Sequence, residues 1–101
     1  MNDKHKELAA KIAGKQARVG VIGLGYVGLP LALLFEERGF PVVGFDVDPR
    51  KKEALDRGES YIRHIGKERV AQAFTRGRIQ ATTAFDRLGE CDAILVCVPT
   101  P

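Results

Sequence analysis

Apolar residues along this chain fall into two kinds of run, and the two kinds alternate. Short continuous runs rich in β-branched residues, Arg18–Ile22, Val42–Asp46, Ile79–Thr83 and Ala93–Val98, fit strands buried on both faces. Between them the apolar positions recur at helical spacing. Leu29, Leu33, Leu34 and Phe35 give Tyr26–Arg38 a broad apolar face, and Val70 with Phe74 does the same for Lys67–Arg76. Pro49 opens a further helix over Pro49–Asp56, and Gly39, Gly58 and Gly77 each follow a helix as its stop. Pro30 lies in a first helical turn, where a missing N–H costs little. Leu8 and Ile12 predict a short, marginal amphipathic helix over residues 3–13, while Glu59 to Ile65 reads as a loop and Ala84–Glu90 as a turn of helix or loop.

The resulting order, β-α-β-α-α-β-(short α)-β, has crossovers long enough to make every strand pair parallel. It predicts an α/β chain: a Rossmann-type parallel sheet with flanking helices, first half only, in strand order 3-2-1-4. Residues 1–17 would be an N-terminal extension and 18–101 a partial nucleotide-binding domain.

At the first strand's end stands Gly23-Leu24-Gly25-Tyr26-Val27-Gly28. Gly23 allows a sharp turn, Gly25 lets bare backbone approach a diphosphate, and Gly28 seats the helix closely. Backbone N–H groups of Tyr26 and Val27, at the positive end of the helix dipole, are the expected diphosphate donors. Asp46 closes the second strand 18 residues beyond Gly28, the spacing of an acid that accepts both ribose hydroxyls of an adenosine. A 2′-phosphate at ~4 Å from that carboxylate would be repelled by roughly 4 kcal/mol at an effective dielectric near 20, so NAD is expected over NADP. Arg50 or Lys51 swinging toward such a phosphate would offset part of this.

Composition changes the picture little. At 101 residues and 45% hydrophobic content the chain supports one core, and its formal charge of +3 is spread along the sequence, which does not indicate nucleic acid. Arg50-Lys51-Lys52 is read either as a solvated helix start or as a group near the ligand. No apolar run approaches the roughly 20 residues of a membrane span, and Met1 to Lys11 is too charged for a signal peptide, so a soluble cytoplasmic protein is expected. Cys91 and Cys97 read as buried free thiols without metal partners, His5 and His64 as non-catalytic, and Asp48 and Asp92 as residues that begin or cap elements.

Gly23-Leu24-Gly25-Tyr26-Val27-Gly28-Leu29-Pro30-Leu31-Ala32 resembles the opening of the UDP-glucose/GDP-mannose dehydrogenase family, the nucleotide-sugar 6-dehydrogenases. Val98-Pro99-Thr100-Pro101 is similar to that family's signature after the fourth strand, and Asp46 with Lys51 matches its ribose-binding acid and the lysine shortly after it. The resemblance implies that Tyr26 and Val27 bind the diphosphate, Asp46 and Lys51 the adenosine ribose, and Thr100 the cofactor near its nicotinamide. It also implies oxidation of a UDP-sugar's C6 alcohol to a carboxylate with two NAD, through a thiohemiacetal on a cysteine. Gly58-Glu59-Ser60-Tyr61-Ile62-Arg63-His64-Ile65 resembles the UDP-N-acetylhexosamine branch.

In that family the nucleophilic cysteine and its helpers come later in the sequence than Cys91 and Cys97, so the chain is expected to bind cofactor without turnover, as an N-terminal fragment. Its fourth strand would be an apolar edge, so self-association or disorder near the C-terminus is expected, and a homo-oligomer is the expected assembly. The alternative reading is a stand-alone regulatory nucleotide-binding module without chemistry. The native gene beyond Pro101 separates the two: a Cys-containing substrate domain supports the enzyme, a stop codon the module. A methyltransferase uses similar glycines, but Tyr26-Val27-Gly28 and the Val-Pro-Thr-Pro end fit it poorly.

Overall fold

The computed structural model of this chain describes Gly14 and residues 16–97. The helix expected over residues 3–13 and the Val98-Pro99-Thr100-Pro101 end, Thr100 included, lie outside the described residues. The elements in order are β1 (Val19–Ile22), α1 (Gly28–Glu37), β2 (Val42–Phe45), α2 (Pro49–Asp56), α3 (Lys67–Thr75), β3 (Ile79–Thr82), a 3-10 turn (Phe85–Glu90) and β4 (Ala93–Val96). All pairings are parallel and the sheet order is β3-β2-β1-β4. The expected topology is therefore the observed one, with β1 at the point where the sheet order reverses.

Side-chain alternation explains how the layers form. Val19, Val21, Val42, Ile79 and Ala81 share one face of the sheet and pack in a single core with Leu29, Ala32 and Leu33 of α1, Leu55 of α2, and Val70 and Ala73 of α3. Each fully buried leucine there contributes about 1.5–3 kcal/mol relative to exposure. The loop between α2 and α3 joins this core through Ile62 and Ile65, both buried. On the other face, Phe45 meets Phe85 of the 3-10 turn with ring centroids 5.7 Å apart. Gly20 makes room for Cys91 on that side, since a Cβ there would lie 2.8 Å from the Cys91 sulfur.

Helix α2 has the predicted limits because its ends are chemically marked. Asp48 accepts the backbone N–H of Arg50 as the N-cap, Pro49 opens the helix, and Gly58 lies just beyond its end at φ 73°. Asp92 accepts the Arg18 N–H at 2.9 Å just before β4.

Four expectations need correction. Helix α1 begins at Gly28, not Tyr26, because Tyr26 and Val27 remain in the turn, 71% and 61% exposed. Its buried face is Leu29, Ala32, Leu33 and Glu36; Leu34 points outward, and Phe35 is only partly covered. Strand β4 is not buried on both faces, for Leu95 faces the core while Ile94 and Val96 are exposed. Cys91 and Cys97 are free but only half-buried.

The buried Glu36 is held by the Arg76 guanidinium at 2.7 and 2.8 Å, with Arg78 at 3.1 Å. This joins the C-terminal end of α1 to the segment between α3 and β3. A carboxylate so placed needs such partners, because desolvating it alone costs several kcal/mol. Glu37, next along, pairs with Arg69 of α3 at 2.7 Å.

Candidate functional site

Where β1 ends, Gly23 takes φ 92°, a left-handed conformation that glycine adopts without strain, and the chain turns. Leu24 comes next with its side chain buried against Gly44, where a Cβ would come within 2.8 Å of the leucine. Gly28 is required by a close approach: a Cβ there would lie 1.6 Å from the Gly23 carbonyl oxygen. Gly25 differs from both. A Cβ at Gly25 would meet nothing within 4 Å, so the missing side chain keeps open space over the turn.

Beyond that open space the backbone offers donors. The N–H groups of Gly25, Tyr26 and Val27 find no acceptor among the described residues, and they precede the first turn of α1. Unpaired N–H groups at a helix N-terminus, together with the positive end of its dipole, favour an anion there.

Asp46 stands one residue past β2 and is buried. Its Oδ2 accepts the Leu24 N–H at 2.9 Å and the Lys51 ammonium at 3.2 Å, and its Oδ1 accepts the Asp48 N–H at 2.9 Å. Burial pushes this carboxyl up, but the Asp48 and Leu24 N–H groups and the Lys51 ammonium outweigh it, so it titrates below the ordinary aspartate range. A carboxylate has about four acceptor sites, and three are used here. One ribose hydroxyl can bind the remaining Oδ1 site directly. A second requires Lys51 to leave Oδ2, and Lys51, 32% exposed, has room to do so.

The glycine turn, Asp46 and Lys51 line one cleft of about 750 Å³ at the reversal point of the sheet. Tyr61 also lines it, a residue that sequence reasoning places only within a loop. Its hydroxyl donates to the Leu24 carbonyl at 2.6 Å, and the Lys51 ammonium lies 5.9 Å from its ring centroid. Burial first, then the nearby charges of Asp46 and Asp48, push its phenol well above the ordinary value. Phe85 and Cys97 also line the cleft, Cys97 beside the glycine turn with its N–H donating to the Ile22 carbonyl at 2.7 Å. Arg50 is held away from the cleft by Asp48, with its guanidinium on the carboxylate at 3.0 and 3.1 Å. His64 places its ring 6.1 Å from that of Tyr26. Among the described residues no cluster of His, Cys, Asp and Glu could hold a metal, and no helix is long and apolar enough to cross a membrane.

The lowered Asp46 pKa makes stability depend on pH. Its contribution is present in full above the unfolded value of about 3.9 and is lost as pH falls through the lower folded value. The thermal midpoint should hold from about pH 7 to about pH 5 and drop below about pH 4, and Asp46→Asn should remove part of that acid limb. Calorimetry across pH checks this; an identical limb in the variant would show that the carboxylate contributes nothing.

Open space at Gly25, free N–H donors behind it and a carboxylate at the adjoining strand tip fit the adenosine diphosphate portion of a dinucleotide. Comparison with known proteins agrees. An uncharacterized protein of Methanocaldococcus jannaschii is 40% identical over 83 residues, 82% of this chain and 9% of its own length. UDP-N-acetyl-D-mannosamine dehydrogenase of Pyrococcus horikoshii is 32% identical over 83% of this chain and 20% of its own. The crystal structure of NDP-N-acetyl-D-galactosaminuronic acid dehydrogenase from Methanosarcina mazei superposes with a TM-score of 0.82 at 33% identity, covering 100% of this chain and 23% of that one. The chain thus spans about a fifth or less of the curated relatives named here. Residues 17–101 match the NAD binding domain of the UDP-glucose/GDP-mannose dehydrogenase family, and the chain belongs to that family, with NAD as its cofactor.

Proposed function

We propose that this chain is the cofactor-binding part of an NAD-dependent nucleotide-sugar 6-dehydrogenase whose substrate is a UDP-sugar, in the UDP-N-acetylhexosamine branch. The observation that carries the cofactor assignment is Asp46, buried at the tip of β2 and bonded through Oδ2 to the glycine turn itself. In this reading Gly23, Gly25 and Gly28 shape the cradle, Tyr26 and Val27 donate to the diphosphate, Asp46 and Lys51 take the adenosine ribose, and Thr100 is assigned to the nicotinamide part of the cofactor. NAD, when bound, supplies the hydride acceptor. Residues 18–101 form the cofactor unit and 1–17 an extension. The exposed Ile94 and Val96 of β4 favour self-association of the chain.

In this reading neither cysteine of this chain is the nucleophile. Burial pushes the Cys91 thiol up, away from the thiolate that attack requires. Cys97 packs against the wall of the cofactor cleft. The chain alone should therefore bind NAD and reduce none of it with a UDP-sugar; absorbance growth at the NADH band would overturn that part.

Asp46→Ala tests the assignment. Losing hydrogen bonds to a charged acceptor, each worth about 1.5–3 kcal/mol, should weaken NAD binding at least ~10-fold. The same change frees Lys51 from its carboxylate partner and removes the anion that repels a 2′-phosphate, so NADP should lose far less than NAD. Titration calorimetry with both nucleotides reads the two effects, and unchanged NAD affinity in Asp46→Ala would sink the assignment.

A further inference from the structure

We propose that Tyr61 is a positioning residue for the cofactor's diphosphate, acting from the α2–α3 loop through the peptide that joins Leu24 to Gly25; the proposal rests on the NAD reading above. Both backbone polar groups of Leu24 are held by side chains: its N–H by Asp46 at 2.9 Å and its carbonyl by the Tyr61 hydroxyl at 2.6 Å. A trans peptide is planar, and its carbonyl and N–H point in opposite directions. Whatever fixes the Leu24 carbonyl therefore also aims the N–H of Gly25, the first of the turn's donors with no acceptor among the described residues. Gly25 has no side chain and no neighbour within 4 Å of its Cβ position, so its own packing cannot hold this peptide plane. The Tyr61 hydrogen bond does.

Tyr61 is itself anchored well enough for this task. Ser60 Oγ brackets the next residue, donating to the Ile62 carbonyl at 3.0 Å and accepting the Ile62 N–H at 3.3 Å. Ile62 and Ile65 are buried in the core on the C-terminal side of the tyrosine. The ring also carries Lys51 at 5.9 Å, within cation–π range, while that ammonium pairs with Asp46. One side chain thus braces the diphosphate turn and borders the ribose acid.

Tyr61→Phe keeps the ring and deletes the hydroxyl, so it isolates the effect on the Leu24 carbonyl. In the full chain, with amide chemical shifts followed during titration, NAD and ADP should each bind about 5- to 10-fold more weakly. Adenosine, which reaches Asp46 but has no diphosphate, should bind within about twofold of wild type. A purely structural role would weaken all three alike, and that outcome overturns the proposal, as does wild-type affinity for NAD in the variant. A wild-type chain whose amides do not respond to NAD would instead overturn the cofactor reading itself, and Tyr61's role with it.

Discussion

Alanine at Gly28 should strongly destabilise this chain, whereas alanine at Gly25, three residues earlier in the same motif, should leave the fold intact and sharply weaken NAD binding. The new Cβ at Gly28 would sit 1.6 Å from the Gly23 carbonyl oxygen and 2.8 Å from its carbonyl carbon, both backbone atoms. Relief requires moving the start of α1 away from the turn by more than an ångström. That disturbs Leu29, Ala32 and Leu33, which are fully buried. Overpacking in a fixed core costs about 1–3 kcal/mol and occasionally more, and a backbone obstacle belongs at the upper end, at about 3 kcal/mol or above. For a domain of this size each kcal/mol lowers the thermal midpoint by about 4–8 °C, so a drop of roughly 12 °C or more is expected. At Gly25 the added methyl enters open space, and stability should stay within ~0.5 kcal/mol of wild type. The same methyl occupies the approach of the diphosphate, so NAD affinity should fall more than ~10-fold. Thermal denaturation and NAD titration of the two variants check the contrast. A Gly25→Ala protein that binds NAD normally would mean that the diphosphate does not lie over this turn.

These two glycines show how much of the site is legible in the sequence. Their different jobs follow from position in the motif, and so do the order of the strands and the limits of α2, where Asp48, Pro49 and Gly58 mark the ends chemically. Asp46 is equally legible, being fixed by spacing. What sequence hides depends on contacts far along the chain. Glu36 falls on the Leu29, Ala32 and Leu33 face by helical spacing, yet its charge argues for the surface, and only Arg76 and Arg78, brought in by α3 and β3, let it be buried. Leu34 looks like core, yet the face is set by what α1 packs on. Tyr61 sits in a stretch without periodicity, and its partner Leu24 lies 37 residues away. The apolar Ile62 and Ile65, three apart, are a sign that this loop packs inward, but they do not reveal where the hydroxyl points. Similarly, the apolar run of β4 does not say which face a neighbour covers: Leu95 packs against the core, while Ile94 and Val96 are exposed.

Glu36 also makes a second large effect predictable, and its size depends on which partner is removed. Replacing both Arg76 and Arg78 by alanine leaves a fully buried carboxylate without its cations, a change that costs about 3–5 kcal/mol. Removing the carboxylate should cost much less. In Glu36→Leu the Arg76 guanidinium, 38% exposed, turns to water and Arg78, 40% exposed, keeps its bond to the main-chain carbonyl of residue 36, while leucine keeps the helix and fills a similar volume in an apolar surrounding. Such replacements of buried ion pairs are often neutral or stabilising, so Glu36→Leu should stay within about 1 kcal/mol of wild type. The triple variant should then lie closer to Glu36→Leu than to the arginine double variant, because once the charge is gone only the bond from Arg78 to the main-chain carbonyl of residue 36 is left to lose. Urea denaturation midpoints measure all three. Equal losses in Glu36→Leu and in the arginine double variant would show that the cluster stabilises the fold by net attraction, and not merely by compensating a charge that the helix face has buried.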